Sequence, residues 1–187
     1  MATNPIKAST TKAVDATNLL MADHKAVKML FKEFEKLAKD DDTDEQKEAV
    51  VQKICDELTV HAQVEEEIFY PAVRAAIEDD ALLDEAEVEH ATAKDLIAQL
   101  QEMVPGDKLY DAKVKVLSEY IDHHVKEEED EMFPKARKSD VDLSVLGRTM
   151  AARKEALKGE MEVSEEAPPP PRAKAANGSK RASKSGM

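Results

Sequence analysis

Four histidines and two glutamates in this sequence stand where the local helical pattern calls for apolar core residues. They are His24, His61, Glu65, His90, His124 and Glu128. An unpaired carboxylate in a protein core costs on the order of several kcal/mol. Two such carboxylates therefore need a cation, and imidazole with carboxylate is a ligand set that suits iron, manganese or zinc. The pattern predicts a buried metal site made by all six residues.

Each of the six interrupts the apolar stripe of a predicted helix. The stripe of the second helix is Val51, Ile54, Leu58, His61, Glu65, Ile68 and Ala72. The stripe of the fourth helix is Val114, Leu117, Ile121, His124, Glu128 and Met132. The isolated histidines fall between Leu20 and Val27 and between Ala86 and Ala93. Residues three and four apart share a helix face, so each His-x-x-x-Glu pair points into the core from one helical turn.

An internal repeat relates the two His-x-x-x-Glu segments. Residues 61–71 read HAQVEEEIFYP, and residues 124–134 read HVKEEEDEMFP. The histidine, the glutamate four residues later, the next glutamate and the proline ten residues on all coincide. We therefore expect two helical hairpins related by a pseudo-twofold axis, each giving two histidines and one glutamate. Two equivalent half-sites predict two metal ions, with the glutamates near the axis as bridges.

The elements that must position these residues are four long helices joined by short turns. Helical periodicity predicts helices from about 15 to 39, from 81 to 103 and from 107 to 137. A further helix opens at a Thr43–Gln46 capping box and is kinked near Pro71. We expect an all-α, up-down-up-down four-helix bundle with an additional C-terminal helix and a disordered tail.

The predicted organisation has four parts. They are a flexible leader over 1–14, the metal-binding bundle over 15–137, a C-terminal helix over 138–163 opened by a Ser139–Asp140 cap, and a disordered tail over 164–187 that is proline-rich and then basic.

The formal net charge of −13 includes +5 from residues 168–187, which leaves −18 on the rest of the chain. That charge argues against nucleic acid as a partner of the folded part. The partner of the tail stays open.

The sequence contains no apolar stretch long enough for a signal peptide or a membrane span. Its single cysteine, Cys55, excludes an internal disulfide framework and favours a structural thiol. We therefore expect a cytoplasmic protein without a membrane partner.

Two further side chains lie near the ligands of the fourth helix. His123 sits about 100° around the helix from His124, which favours a surface or supporting role. Tyr120 precedes His124 by one turn and either lines the site or packs at the edge of the core. The phenylalanines expected in the core are Phe31, Phe34, Phe69 and Phe133.

The ligand pattern resembles that of the hemerythrin-like (HHE cation-binding) family over about residues 15–137. The resemblance rests on the isolated histidines, the repeated His-x-x-x-Glu-Glu and the Phe/Tyr-Pro after each pair. It implies a non-haem di-iron site in a four-helix bundle, bridged also by an oxo or hydroxo group, with manganese as the second choice of metal. By this resemblance, one iron is held by His24 and His61. The other is held by His90 and His124. The two bridges are Glu65 and Glu128.

Lys94 marks a departure from the oxygen-carrying members of that family. Those members have a second histidine four residues after the one in the third helix, where this chain has Lys94. Their second bridging carboxylate is an aspartate at i+5, whereas Glu128 stands at i+4 from His124. The departure argues against reversible oxygen carriage and favours reaction with, or sensing of, peroxide, oxygen or nitric oxide. Iron-centre repair relatives add an N-terminal cysteine-containing segment, and no cysteine precedes His24, so a repair role is not expected.

Three functions remain open at this point. The first is a di-iron protein that binds or reacts with small oxidants in a stress response, with catalase-like or peroxidase-like activity as its enzymatic form. The second is a non-catalytic iron or oxygen sensor or store that signals through the fifth helix or the tail. The third is a structural metal-binding bundle without a redox role.

Overall fold

The structure is a computed structural model that describes residues 15–40 and 43–166, and within these ranges every regular element is helical. The α-helices are α1 (Ala16–Leu37), α2 (Asp44–Val64), α3 (Tyr70–Arg74), α4 (Asp80–Gln101), α5 (Tyr110–Glu127), α6 (Phe133–Lys138) and α7 (Leu143–Glu166). Two π-helical segments, Glu65–Phe69 and Glu128–Met132, join α2 to α3 and α5 to α6. The all-α prediction is confirmed. The predicted leader lies outside the described residues, as does the predicted tail beyond Glu166.

The bundle consists of two hairpins. α1 packs against α2, and α4 packs against α5, while contacts of α1 with α5 and of α2 with α4 close the bundle. None of the helices that the structure describes is both long and apolar enough to cross a bilayer.

Two apolar clusters lie on either side of the predicted ligands. The first cluster includes Leu20 and Ala86, and the second includes Val27 and Ala93. His24 therefore falls between the clusters on α1. Each fully buried large apolar side chain contributes about 1.5–3 kcal/mol, so the two clusters support a polar layer between them.

Two helix caps differ from prediction. The capping box at Thr43 is wrong, because the Thr43 hydroxyl donates back to the carbonyl oxygen of Leu37 at 2.8 Å and so ties the end of α1 to the turn. The cap at 139–140 is also wrong. The Asp142 carboxylate caps α7 instead, accepting a hydrogen bond from the backbone N–H of Ser144 at 3.1 Å.

The π-helical segments shift the buried face of the chain by one residue. An uninterrupted stripe predicts that Ile68 and Ala72 point inward, but both are half-buried, and Phe69 and Tyr70 are buried instead. A π-helical turn closes its hydrogen bonds one residue further along, so later side chains rotate relative to the α-helical pattern. Pro71 has no N–H to donate, and the irregularity predicted near it takes the form of this wide turn.

α7 packs on α1, α2 and the first π-helical segment. Its buried residues include Met150 and Leu157, while Val145 is 48% exposed. Lys158 of α7 forms an ion pair with Glu57 of α2 at 2.7 Å. The helix is therefore attached to the first hairpin by apolar and charged contacts.

Candidate metal centre

The six predicted ligands meet in one buried layer of the bundle. We call His24 with His61 the first half-site and His90 with His124 the second half-site. One group of ligand atoms, all within 4.8 Å of one another, comes from the first half-site, Glu65 and Glu128. A second group, within the same distance, comes from the second half-site and Glu65. Glu65 is 0% exposed and Glu128 1%. The side chains that sequence spacing singled out are thus brought together.

Each central carboxylate faces one histidine from each half-site. The distances from imidazole Nε2 to carboxylate Oε2 are 3.1 Å for His61–Glu65, 3.4 Å for His90–Glu65, 3.2 Å for His24–Glu128 and 3.7 Å for His124–Glu128. The two carboxylates are therefore shared between the half-sites, in the positions that bridging ligands would take.

A carboxylate faces the outer nitrogen of every histidine in the layer. The Nδ1–carboxylate distances are 2.9 Å for His24–Glu129, 3.6 Å for His61–Asp23, 2.9 Å for His90–Glu66 and 2.7 Å for His124–Glu89. Such partners orient the ring and raise the basicity of the other nitrogen. All four Nε2 atoms are consequently directed into the layer, and the pattern obeys the pseudo-twofold repeat.

Two lysines stand behind these outer carboxylates. Lys94 contacts both carboxylate oxygens of Glu66 at 2.6 Å. Lys154 of α7 donates a hydrogen bond to Asp23. Lys94 thus supports the partner of His90 rather than entering the layer itself.

Tyr70 lies in the layer, although it does not fall on the predicted apolar stripe of its helix. Its hydroxyl donates to Glu128 Oε1 at 2.9 Å and lies 3.2 Å from His90 Nε2. The π-helical turn rotates Tyr70 inward, which a plain helical stripe does not predict. The repeat carried a usable signal, because it aligns Tyr70 with Phe133, whose ring stacks on His24 with centroids 5.9 Å apart.

The electrostatics of the layer separate the two central carboxylates. Burial and the nearby charge of Glu128 raise the pKa of Glu65 well above its ordinary value. Burial opposes the charge of Glu128 too, but His124 and His24 outweigh it and lower the pKa of Glu128. Burial lowers the pKa of His61 to about 4, so this imidazole is neutral at pH 7. A positive charge in the layer would let both carboxylates ionise.

Several buried polar atoms of the layer have no hydrogen-bond partner among the described residues. Those that face into the layer are Nε2 of His24, both carboxylate oxygens of Glu65 and Oε2 of Glu128, while Nδ1 of His61 faces Asp23 at 3.6 Å. Leaving such atoms unpaired costs about 1–3 kcal/mol each. Imidazole nitrogens and carboxylate oxygens both donate electron pairs to cations, so this donor set fits a metal ion.

A small cavity adjoins the layer. Its volume is about 30 Å³, which is room for one or two water-sized molecules. The apolar residues that line it include Val27, Leu58, Ala93, Ile97 and Ile121, and the four site histidines also contribute. The cavity therefore has room for a molecule of only a few atoms.

The remaining candidates lie away from the centre of the layer. His123 has a side chain 60% exposed, with Nε2 3.3 Å from Glu127. Tyr120 is half-buried. Burial raises the pKa of the Cys55 thiol to about 12, so this buried cysteine is an unreactive packing residue.

Comparison with known proteins places this geometry in a family. The crystal structure of a hemerythrin HHE cation binding domain-containing protein from Mycobacterium kansasii, described as an Rv2633c homolog, matches with a TM-score of 0.67 at 26% identity. The match covers 81% of this chain and 91% of that chain. The sequence profile described as "Hemerythrin HHE cation binding domain" matches residues 15–136. This chain belongs to the hemerythrin HHE cation-binding domain family.

Two curated relatives match this HHE protein over different shares of their own length. The "DNA nickase" of Nostoc sp. is 30% identical over 122 residues, which are 64% of this chain but 33% of the relative. The "Uncharacterized protein Rv2633c" of Mycobacterium tuberculosis is 29% identical over 121 residues, 62% of this chain and 71% of that protein. This chain therefore spans about one third of the Nostoc relative, most of whose length lies outside the match.

Proposed function

We propose that this HHE protein is a non-haem di-iron protein that binds or reacts with peroxide, oxygen or nitric oxide in a stress response. The observation that carries the proposal is the buried layer in which Glu65 and Glu128 each face one histidine from each half-site. Carboxylate oxygens without hydrogen-bond partners support a cation at this position. The shared position of both carboxylates supports two ions rather than one.

In this proposal each half-site holds one iron ion, and Glu65 and Glu128 serve both. Nitrogen and carboxylate ligands in a helical bundle favour iron, with manganese as the second choice. Structural zinc sites usually include cysteine, and Cys55 packs in the second apolar cluster instead. When bound, the iron pair supplies redox capacity and open positions for a small oxidant.

The residues around the layer determine what reaches it. The apolar walls of the 30 Å³ cavity limit the occupant to a molecule of a few atoms and disfavour bulk water. The outer carboxylates hold the imidazole rings in place, so the Nε2 atoms that would hold the iron keep fixed positions beside the cavity. This arrangement supports binding of small oxidants in preference to organic substrates.

Tyr70 is positioned to hold a proton at the second half-site. Burial, followed by the negative charges of Glu128 and Glu65, raises the pKa of Tyr70 well above its ordinary value. The phenol therefore stays protonated and donates its hydrogen bond to Glu128 Oε1 at 2.9 Å. It orients this shared carboxylate and keeps an O–H group beside His90.

A second candidate function is a non-catalytic sensor or store for iron or oxygen. One series of contacts favours it: His61 faces Asp23, which pairs with Lys154 of α7. A change in the first half-site would thereby reach the helix that leads toward the C-terminal part of the chain.

Peroxide turnover by the iron-loaded protein separates these candidates. A reactive di-iron protein consumes peroxide at a rate that follows its iron content, and Glu128→Gln loses both. The matched control is Glu131→Gln, which makes the same change at a 59% exposed position of the same π-helical segment and should keep the rate. A sensor or store retains iron but leaves peroxide at the buffer rate. Protein that retains no iron contradicts both candidates.

A further inference from the structure

A group outside the buried layer also has the residue types and spacing of a metal site. On α5, His123 and Glu127 repeat the His-x-x-x-Glu spacing one residue before His124 and Glu128. Glu89 of α4 completes the group, since ligand atoms of the three residues lie within 4.8 Å of one another. His123 Nε2 is 3.3 Å from Glu127 Oε1 and 3.8 Å from Glu89 Oε1.

The repeat places a different pair at the matching positions of the first hairpin. Val60 and Val64 stand there in place of His123 and Glu127. They are 2% and 1% exposed and belong to the apolar cluster that α7 completes. On the second hairpin the His123 side chain is 60% exposed. A solvated face accepts many polar residues, but this one carries a histidine and a glutamate at metal-ligand spacing.

Glu89 differs from its counterpart in the repeat in its charge partners. That counterpart is Asp23, which pairs with the ammonium group of Lys154. The Glu89 side chain is 8% exposed, and the ion pairs it makes within the described ranges are with imidazoles, His124 at 2.7 Å and His123 at 3.8 Å. Within the described ranges, Glu89 thus has no lysine partner to match the one that Lys154 provides for Asp23.

We infer that His123, Glu127 and Glu89 form a second, surface-accessible site for a divalent transition-metal ion. One imidazole nitrogen and two carboxylate oxygens, with water completing the shell, form a three-ligand set of the kind that binds zinc. Ligand atoms at about 2.1 Å from a tetrahedral ion lie about 3.4 Å apart, close to the separations of this group. The ion provides for Glu89 the charge that Lys154 provides for Asp23.

Calorimetric titration of Zn²⁺ into the full chain tests this site, with iron content measured before and after. Wild-type protein should bind one more equivalent of Zn²⁺ than His123→Ala, and Glu127→Gln should lose the same equivalent. The iron content of both variants should equal that of wild type, because neither residue belongs to the buried layer. The control is Asp130→Asn, which removes a 61% exposed carboxylate nearby and should keep the extra equivalent.

Two results would overturn the inference. His123→Ala that binds as much Zn²⁺ as wild type excludes the site. Loss of the equivalent in Asp130→Asn shows a general attraction of cations to the acidic surface instead. Because the readout is a difference between variants, it does not depend on which metal fills the buried layer. Failure of the di-iron proposal would appear separately, as missing iron in the wild type.

Discussion

The two half-sites carry the same ligands in different surroundings. At the first, the Phe133 ring stacks on His24 with an interplanar angle of 9°. At the second, Tyr70 takes the place of Phe133, and its hydroxyl lies 3.2 Å from His90 Nε2. The duplicated hairpins thus repeat the ligands. The residue that follows each π-helical segment differs, so that Phe133 adds an apolar ring at the first half-site and Tyr70 adds a hydrogen-bond donor at the second.

The support behind the histidines differs as well. Lys154 reaches Asp23 from α7, and both side chains are 14% exposed. Lys94 reaches Glu66 from α4 and is 47% exposed. The first half-site therefore depends on α7, whereas the second is supported by the bundle itself. α7 is part of the site's architecture and not a separate appendage.

The largest expected effect comes from removing a carboxylate that the half-sites share. Glu128→Ala should lose both metal ions, and the Tm should fall to that of metal-free protein, because binding and folding are linked. His24→Ala removes a ligand of one half-site and should retain about half of the metal. Elemental analysis and thermal unfolding measure both variants. Complete loss in His24→Ala would show that the half-sites fill only together.

Tyr70→Phe makes the second half-site resemble the first. Glu128 Oε1 loses the donor now at 2.9 Å, so peroxide consumption should fall about tenfold, a size typical of lost partners of metal ligands. Iron content should persist at saturating iron. Stopped-flow decay of peroxide measures the change. The reciprocal variant, Phe133→Tyr, tests the same group in the first half-site, and an unchanged rate in Tyr70→Phe would exclude a role for the hydroxyl.

The lysines should differ in their contribution to stability. Lys154→Met leaves Asp23 without its ammonium partner in a largely buried position, which should cost about 2–3 kcal/mol of unfolding free energy. Lys94→Met breaks a more exposed pair and should cost at most about 1 kcal/mol. Urea denaturation of both variants measures the difference. Equal costs would show that α7 adds nothing specific to the first half-site.

The smallest predicted effect concerns the pH dependence of metal-free protein. A carboxyl group can have a higher pKa in the folded state than in the unfolded state. Its contribution to stability is then complete below the unfolded-state pKa and is lost as pH rises through the folded-state pKa. The raised pKa of Glu65 therefore lowers stability as pH rises above about 4.5. Glu65→Gln stays neutral and should therefore be more stable than wild type at pH 8. Denaturation of metal-free wild type and variant at pH 5 and pH 8 measures the difference in unfolding free energy. The same difference at both pH values would contradict this prediction.

Helical spacing related His61 to Glu65 and His124 to Glu128 by a single turn, and breaks in the apolar stripes added His24 and His90. The sequence could therefore indicate these six residues, which the structure brings together. Tyr70 was missed because a π-helical turn changes the rotation of the chain over a few residues. The pairing of Lys154 with Asp23 was also beyond prediction. It depends on how α7 docks, and no periodic pattern encodes that contact.

The iron content of the purified protein, measured together with its near-ultraviolet and visible spectrum, tests the shared centre most directly. We expect two iron ions per chain and charge-transfer absorption that changes when peroxide is added. A chain that holds one iron ion or none while all six layer residues are intact would contradict it.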